Sequence, residues 1–539
     1  MNNSPTTVFI NGCVITIDQE DRICDAAAVA GNKIVYVGNS ADALKLRNAR
    51  TDVIDLKGRA LIPGFIDAHC HATTYGIAKQ QLPCSPQDVS SIEELLKVIA
   101  RKASITAPGE WILGRGYNHL SMREKRHPTR WELDSVAPNH KVFLVRTCGH
   151  LAVANSNVLA EFDIGPTTPD PEGGKIDKDP GGQPTGLLYE QAAMKIRMQT
   201  QPSSSELESA LQRMNRDFLR LGITSLHDAS GVNPEEISTF QKGVSEGWIK
   251  TRLYLMVRSA GDICQLGDSF LKTGLVTGFG NERIRIGPYK LMIDGAGSSG
   301  SAAMKNPYRG DAQNFGILNI SEQELNEKIE NAHRRGFQIA LHAIGDRAIE
   351  MALNSYERAL TRYPRANHRH RIEHCGFLSD DLLERLIKLQ VTPVLGLSFL
   401  YELGDNYREI YEQHDLERAY PLRCLLQNGS KGAMSSDAPV IHPNPMHGLY
   451  FAVAHKTKSG HAIAPDQRVE LLQALRAYTL HGAYASFEER IKGSIEMGKL
   501  ADLVVLSSSI LSSSPEELLE VSADLTMVDG EILHRQSTV

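Results

Sequence analysis

A chain of 539 residues with 41% hydrophobic and 23% charged content can bury more than one ordinary core, so two domains are expected. A net charge of −6 gives no overall basic character, which argues against nucleic acid and anionic lipid as partners. The N-terminus lacks the positive region and apolar run of a secretory signal, and no stretch of about 18 apolar residues occurs, so a cytoplasmic protein without membrane contact is expected.

Residues 8 to 60 carry short β-rich runs, around Val8–Ile10, Val14–Thr16 and Lys33–Val37, parted by Asn-Gly and Gly-Asn turn signals. The apolar run from Leu61 then ends in His69-Cys70-His71. On a strand, residues two apart share a face, so His69 and His71 can hold one metal ion together, while Cys70 points away and reads as packing. Residues from about 75 to 200 are too long for an ordinary strand-to-helix connection and are read as an inserted subdomain overhanging the end of strand 1.

Beyond it, strands alternate with helix-patterned stretches: Glu206–Met214, for which any of Ser203, Ser204 and Ser205 can serve as N-cap, then Gln323–Glu330 and Asp381–Lys388. Alternation over this length predicts a parallel sheet closed into a (β/α)8 barrel, with the active site at the C-terminal strand ends. The strand-end residues are Lys290 on strand 4, His342 on strand 5, His374 on strand 6 and Asp437 on strand 8. Leu226-His227-Asp228 fits the end of strand 2 in a structural role. His368 and His370 precede strand 6 and are placed on the lower surface or in a loop. Cys375 reads as packing, and all eight cysteines read as free thiols, there being no CxxC pair. The strand texture returns in residues 493–506 and 525–533. Two half-sheets at opposite ends of a chain complete each other, because either alone leaves edges and an apolar face exposed. The expected organisation is a β-sandwich from residues 1–60 and 490–539, with the barrel over 61–489.

The order of these residues, together with Gly64-Phe-Ile-Asp-Ala-His69, Trp111-Ile-Leu-Gly-Arg-Gly116, Gly149-His150 followed by Asn155-Ser156, His342-Ala-Ile-Gly-Asp-Arg-Ala348 and Ser436-Asp437, resembles the amidohydrolase superfamily of metal-dependent hydrolases. Within it, the wording is similar to the branch containing N-substituted formamide deformylases, over nearly the whole chain. The resemblance implies the same barrel, the same composite β-sandwich and a homodimer. It also implies that Lys290, carboxylated by CO2, bridges two divalent ions, most simply Zn²⁺. His69, His71, Asp437 and Lys290 then hold the first ion, and Lys290, His342 and His374 the second. The alternative for Lys290 is an ordinary ammonium beside a single metal.

The expected function is hydrolysis of an amide, N-formyl or cyclic amide C–N bond in a small molecule with a hydrophobic substituent. A metal-bound hydroxide attacks, and Asp437 carries the proton to the departing amine. A mononuclear deaminase-type enzyme and a non-catalytic regulatory relative are the alternatives. Substrate contacts are expected from Arg115, Tyr117 and His150 in the insert, Tyr401 after strand 7, and His442 with His447 above strand 8. The stretch Ser398–Gly404 is expected to shape the pocket.

Overall fold

The computed structural model describes residues 4–200, 202–231, 233–260 and 264–536. At its centre are eight parallel strands: Phe65–Cys70 (β1), Ile223–Asp228 (β2), Arg252–Arg258 (β3), Ile284–Met292 (β4), Ile339–Ala343 (β5), Arg371–His374 (β6), Thr392–Leu395 (β7) and Ala433–Met434 (β8). They lie side by side in chain order, as the expected barrel requires. β8 is two residues long, and the seam to β1 closes just above it. The Asp437 N–H donates to the His69 carbonyl and the His71 N–H to the Ala438 carbonyl, both at 2.8 Å. The backbone that stitches the barrel shut thus belongs to the candidate ligands themselves.

The helices form where the sequence supplies both a cap and a stripe. Ser203 is the cap among the three serines: it and Glu206 bond each other's backbone N–H groups in a capping box that starts the helix Ser204–Arg220. Leu207, Leu211, Met214 and Phe218 recur at helical spacing and are buried against the barrel. Gly222, at φ 78°, then turns the chain directly into β2. The two later helices occupy Glu322–Arg334 and Asp380–Lys388. Among the described residues, no helix is long and apolar enough to cross a membrane.

The two ends of the chain build two further sheets. One is made of Lys33–Gly38, Ala26–Ala30, Thr7–Ile10 and Asp52–Asp55. The other joins Cys13–Ile15, Ile23–Cys24 and Ala60–Pro63 to the C-terminal strands Leu503–Leu506, Ala523–Val528 and Glu531–Arg535. Phe9 and Ile34 of the first sheet share one core with Leu61, Leu503 and Leu525 of the second. A buried ion pair fastens this unit to the barrel: Arg252, at the start of β3, donates to Asp502 at 2.6 and 2.9 Å and to Asp529 at 2.6 Å.

Between β1 and β2 the chain forms a six-stranded mixed sheet, from Leu82–Pro83 to Pro184–Glu190, with its own apolar core. It is anchored over the barrel mouth by Thr147 Oγ1, which donates to the Val440 carbonyl at 3.0 Å, and by Arg146, which donates to the Ser298 carbonyl at 3.2 Å. His368 and His370 lie in the loop that precedes β6, as expected, and are buried there. His370 is fully buried below β6, 2.9 Å from His333 Nδ1 and stacked on Tyr356, and His368 Nε2 reaches the Leu389 carbonyl at 2.9 Å. Ring nitrogens with backbone and imidazole partners can be buried without penalty, which a pattern of exposed and apolar positions does not reveal.

Candidate active site

The strand ends bring all six candidate ligands, His69, His71, Lys290, His342, His374 and Asp437, onto the wall of one cavity of about 600 Å³. Three converge more tightly: ligand-capable atoms of His69, His374 and Asp437 all lie within 4.8 Å of one another, and all three residues are buried. Asp437 Oδ1 is 3.0 Å from His71 Nε2 and 3.4 Å from His69 Nε2. The His342 ring stands 4.5 Å from that of His374, centroid to centroid. His374 and Asp437 adopt left-handed backbone, φ 70° and 57°. That conformation costs a non-glycine residue about 1 kcal/mol or more and is concentrated at functional sites.

The electrostatics suit a cation. Burial holds the His342 and His374 imidazoles well below their usual range and His71 at about 4, so they are neutral at neutral pH, the form that binds metal. Burial pushes the Asp437 carboxyl up, but the hydrogen bonds of His69 and His71 outweigh it and keep it ionised well below the usual carboxylate range. For His69, burial and Lys290 act downwards, and Glu373 and Asp437 reverse the balance. Carboxylates that favour a proton there also favour a divalent ion. Lys290 is buried, and among the described residues its Nζ has no hydrogen-bond partner. Burial pulls its pKa down to about 8, although Glu373 and Asp437 act the other way.

Sequence reasoning missed the support of His69. Arg371 and Glu373, two apart on β6, are both fully buried. Arg371 grips Glu373 with a two-pronged contact at 2.7 and 2.8 Å, and also donates to the Ala68 carbonyl at 2.6 Å. Glu373 in turn accepts from His69 Nδ1, which leaves Nε2 facing Asp437 and the cavity. His227, at the end of β2, lies 3.0 Å from Arg371 Nη1. The available signal was a charged pair at i and i+2 on a strand with no solvent face.

Of the residues expected to meet substrate, Arg115 and His150 line the cavity. His150 is bound through Nδ1 to Glu190 at 2.7 Å; burial acts to lower its pKa, but Glu190 lifts it to about 9. Tyr117, Tyr401 and His442 do not line the cavity. Tyr117 sits behind the wall with its hydroxyl 3.0 Å from His127 Nδ1. Tyr401 packs on His447 and Tyr450, and His442 lies beside His447. The stretch Ser398–Gly404 is part of a largely buried helix, Leu397–Ile410, and stays off the cavity wall. Arg197, Arg258 and Glu190 line it instead, and sequence reasoning named none of them.

A model of the amidohydrolase family matches residues 52–534. The chain belongs to the amidohydrolase family. This amidohydrolase is 31% identical to an N-substituted formamide deformylase of Arthrobacter pascens over 98% of both chains. It is 30% identical to the protein LONG AFTER FAR-RED 3 of Arabidopsis thaliana, over 97% of this chain and 91% of that one. Its fold matches the crystal structure of an uncharacterized metal-dependent hydrolase from Pyrococcus horikoshii OT3 with a TM-score of 0.76 and 26% identity, covering 95% of this chain and 99% of the other. With its buried His69, His374 and Asp437 triad, the family assignment makes the chain a metal-dependent hydrolase of C–N bonds with one divalent-metal site.

Proposed function

We propose that this amidohydrolase cleaves the C–N bond of an amide, N-formyl or cyclic amide in a small molecule with a hydrophobic substituent. The convergence of His69, His374 and Asp437 in one cavity carries the reading, and the deformylase relative supports the bond type. The donor set suits Zn²⁺: neutral imidazole nitrogen with an ionised carboxylate, flanked by His71 and His342. When bound, such an ion polarises a carbonyl oxygen and lowers the pKa of water. His69, held by Glu373 and Arg371, offers Nε2 in a fixed orientation. Asp437 takes a proton from the attacking water at a carboxylate oxygen and passes it to the departing amine nitrogen.

A second reading, two ions bridged by Lys290, is favoured by its Nζ, which is buried among histidines and has no hydrogen-bond partner among the described residues. Reaction of the neutral amine with CO2, with loss of a proton, would turn it into an anionic oxygen donor. Cytoplasmic residence belongs to the proposal, supported by eight cysteines that form no disulfide with one another. So do the homodimer that the resemblance implies and the division of the chain into 1–60 with 490–539 against 61–489, the latter supported by the shared core of the terminal sheets.

Two measurements test the reading. Protein stripped by chelator and reloaded with Zn²⁺ should release amine from one or more members of a panel of N-formyl, N-acyl and cyclic amides. A fully metal-loaded protein inert towards the whole panel would contradict it. Zn²⁺ at about 100 times its Kd should stabilise the stripped protein by about 2.7 kcal/mol, read as a higher unfolding midpoint. His374→Ala should abolish that gain.

A further inference from the structure

The cavity has a wall whose chemistry amide cleavage leaves unused. Arg115, on the inserted strand Trp111–Tyr117, and Arg258, the last residue of β3, line it and are each 8% exposed. Among the described residues, the buried Nε of both has no hydrogen-bond partner and no carboxylate forms an ion pair with either. Arg258 Nη2 rests 3.0 Å from the Met292 sulfur, a weak acceptor. Arg197, on the helix Gln191–Gln199, donates to Thr74 Oγ1 at 3.1 Å and stands across a gap from Arg115. A Cβ at Gly149 would lie 3.2 Å from Arg115 Nη2 and 3.9 Å from Arg197 Nη1. The glycine, at φ 77°, therefore keeps open a space between two guanidinium groups.

Glu190 is engaged by His150 and Ser301, and Glu236 acts on Arg197 and Arg258. Glu172, Glu324, Lys195 and Lys328 also line the cavity, and Glu324 lies 3.9 Å from Lys328. A buried guanidinium without a carboxylate is costly, and its planar fork matches a carboxylate in shape. These arginines also stand near the ligand cluster, since Asp437 acts on Arg115 and Arg258 acts on Lys290.

We infer that the substrate carries a carboxylate besides its scissile amide, as an N-formyl or N-acyl amino acid does, and that Arg115, flanked by Arg197 and Arg258, receives it. The inference rests on the amide reading of the site and names its substrate class.

The test is calorimetric titration of the zinc-loaded protein with N-formylphenylalanine and with N-formyl-2-phenylethylamine, the same molecule without the carboxylate. The acid is expected to bind about 30-fold more tightly, the scale of hydrogen bonds to a charged group. Arg115→Gln should remove about 10-fold of that preference or more. Arg258→Gln should act in the same direction and stands in if the first variant does not fold. Equal binding of the two compounds, binding of neither, or a preference untouched by both variants would overturn the inference. So would inorganic phosphate displacing the acid at lower concentration than acetate does, since the anion would then be a phosphate ester. Formate release is followed in parallel. Acid-selective binding without hydrolysis upholds the carboxylate site and fails the amide reading. Hydrolysis of both compounds with equal binding does the reverse.

Discussion

Asp437→Asn is expected to lower kcat/KM by about 10⁴-fold while the protein stays folded. The substitution keeps the shape of the side chain and removes its charge. It thereby takes away one member of the metal triad and the group proposed to carry the proton. The fold should survive, because the barrel seam is made by the Asp437 backbone N–H and not by its carboxylate. Steady-state kinetics on metal-reloaded protein, with circular dichroism as the check on folding, measure both halves. A variant that kept more than about a tenth of the activity would remove Asp437 from the chemistry.

Arg371→Leu is expected to be the most destabilising substitution at the site, by about 3–5 kcal/mol, because it leaves the Glu373 carboxylate buried without its guanidinium. Arg371 and Glu373 are both fully buried in the barrel interior, and the leucine cannot replace the bonds to Glu373 and Ala68. Denaturant titration should show the double variant Arg371→Leu with Glu373→Leu to be more stable than the single one, since the stranded charge is gone. Its activity should not return, because His69 Nδ1 has lost the acceptor that orients the ring. A single variant no less stable than the double would mean that Glu373 is compensated by something other than Arg371.

The strand-end positions that converge on the cavity were legible in the sequence, because strand periodicity and order along the chain place them there. An HxH at a strand end can do little but point both rings one way, and alternating strands and helices put later strand ends on the same face. What escaped depends on how separate segments meet. Glu373 looks like a local partner of Arg371, and its contact with His69 comes from the neighbourhood of β6 and β1 across the barrel interior. The substrate wall depends on how the inserted sheet sits over the mouth, so Arg115 and His150 reach it while Tyr117, on the same strand as Arg115, ends behind it. Ser398–Gly404, expected to shape the pocket, lies instead on a helix whose signal was present: Leu397, Leu400, Leu403 and Tyr407 repeat at helical spacing and are buried.

Metal analysis of the purified protein by mass spectrometry, beside His69→Ala and His374→Ala, tests the central claim most directly. The wild type should hold about one divalent ion per chain or more. Each variant should lose the ion at the triad, and hydrolysis should disappear on chelation and return with Zn²⁺. A wild type fully active without metal, or a metal content unchanged in both variants, would contradict the assignment of these residues to a metal-dependent hydrolytic centre.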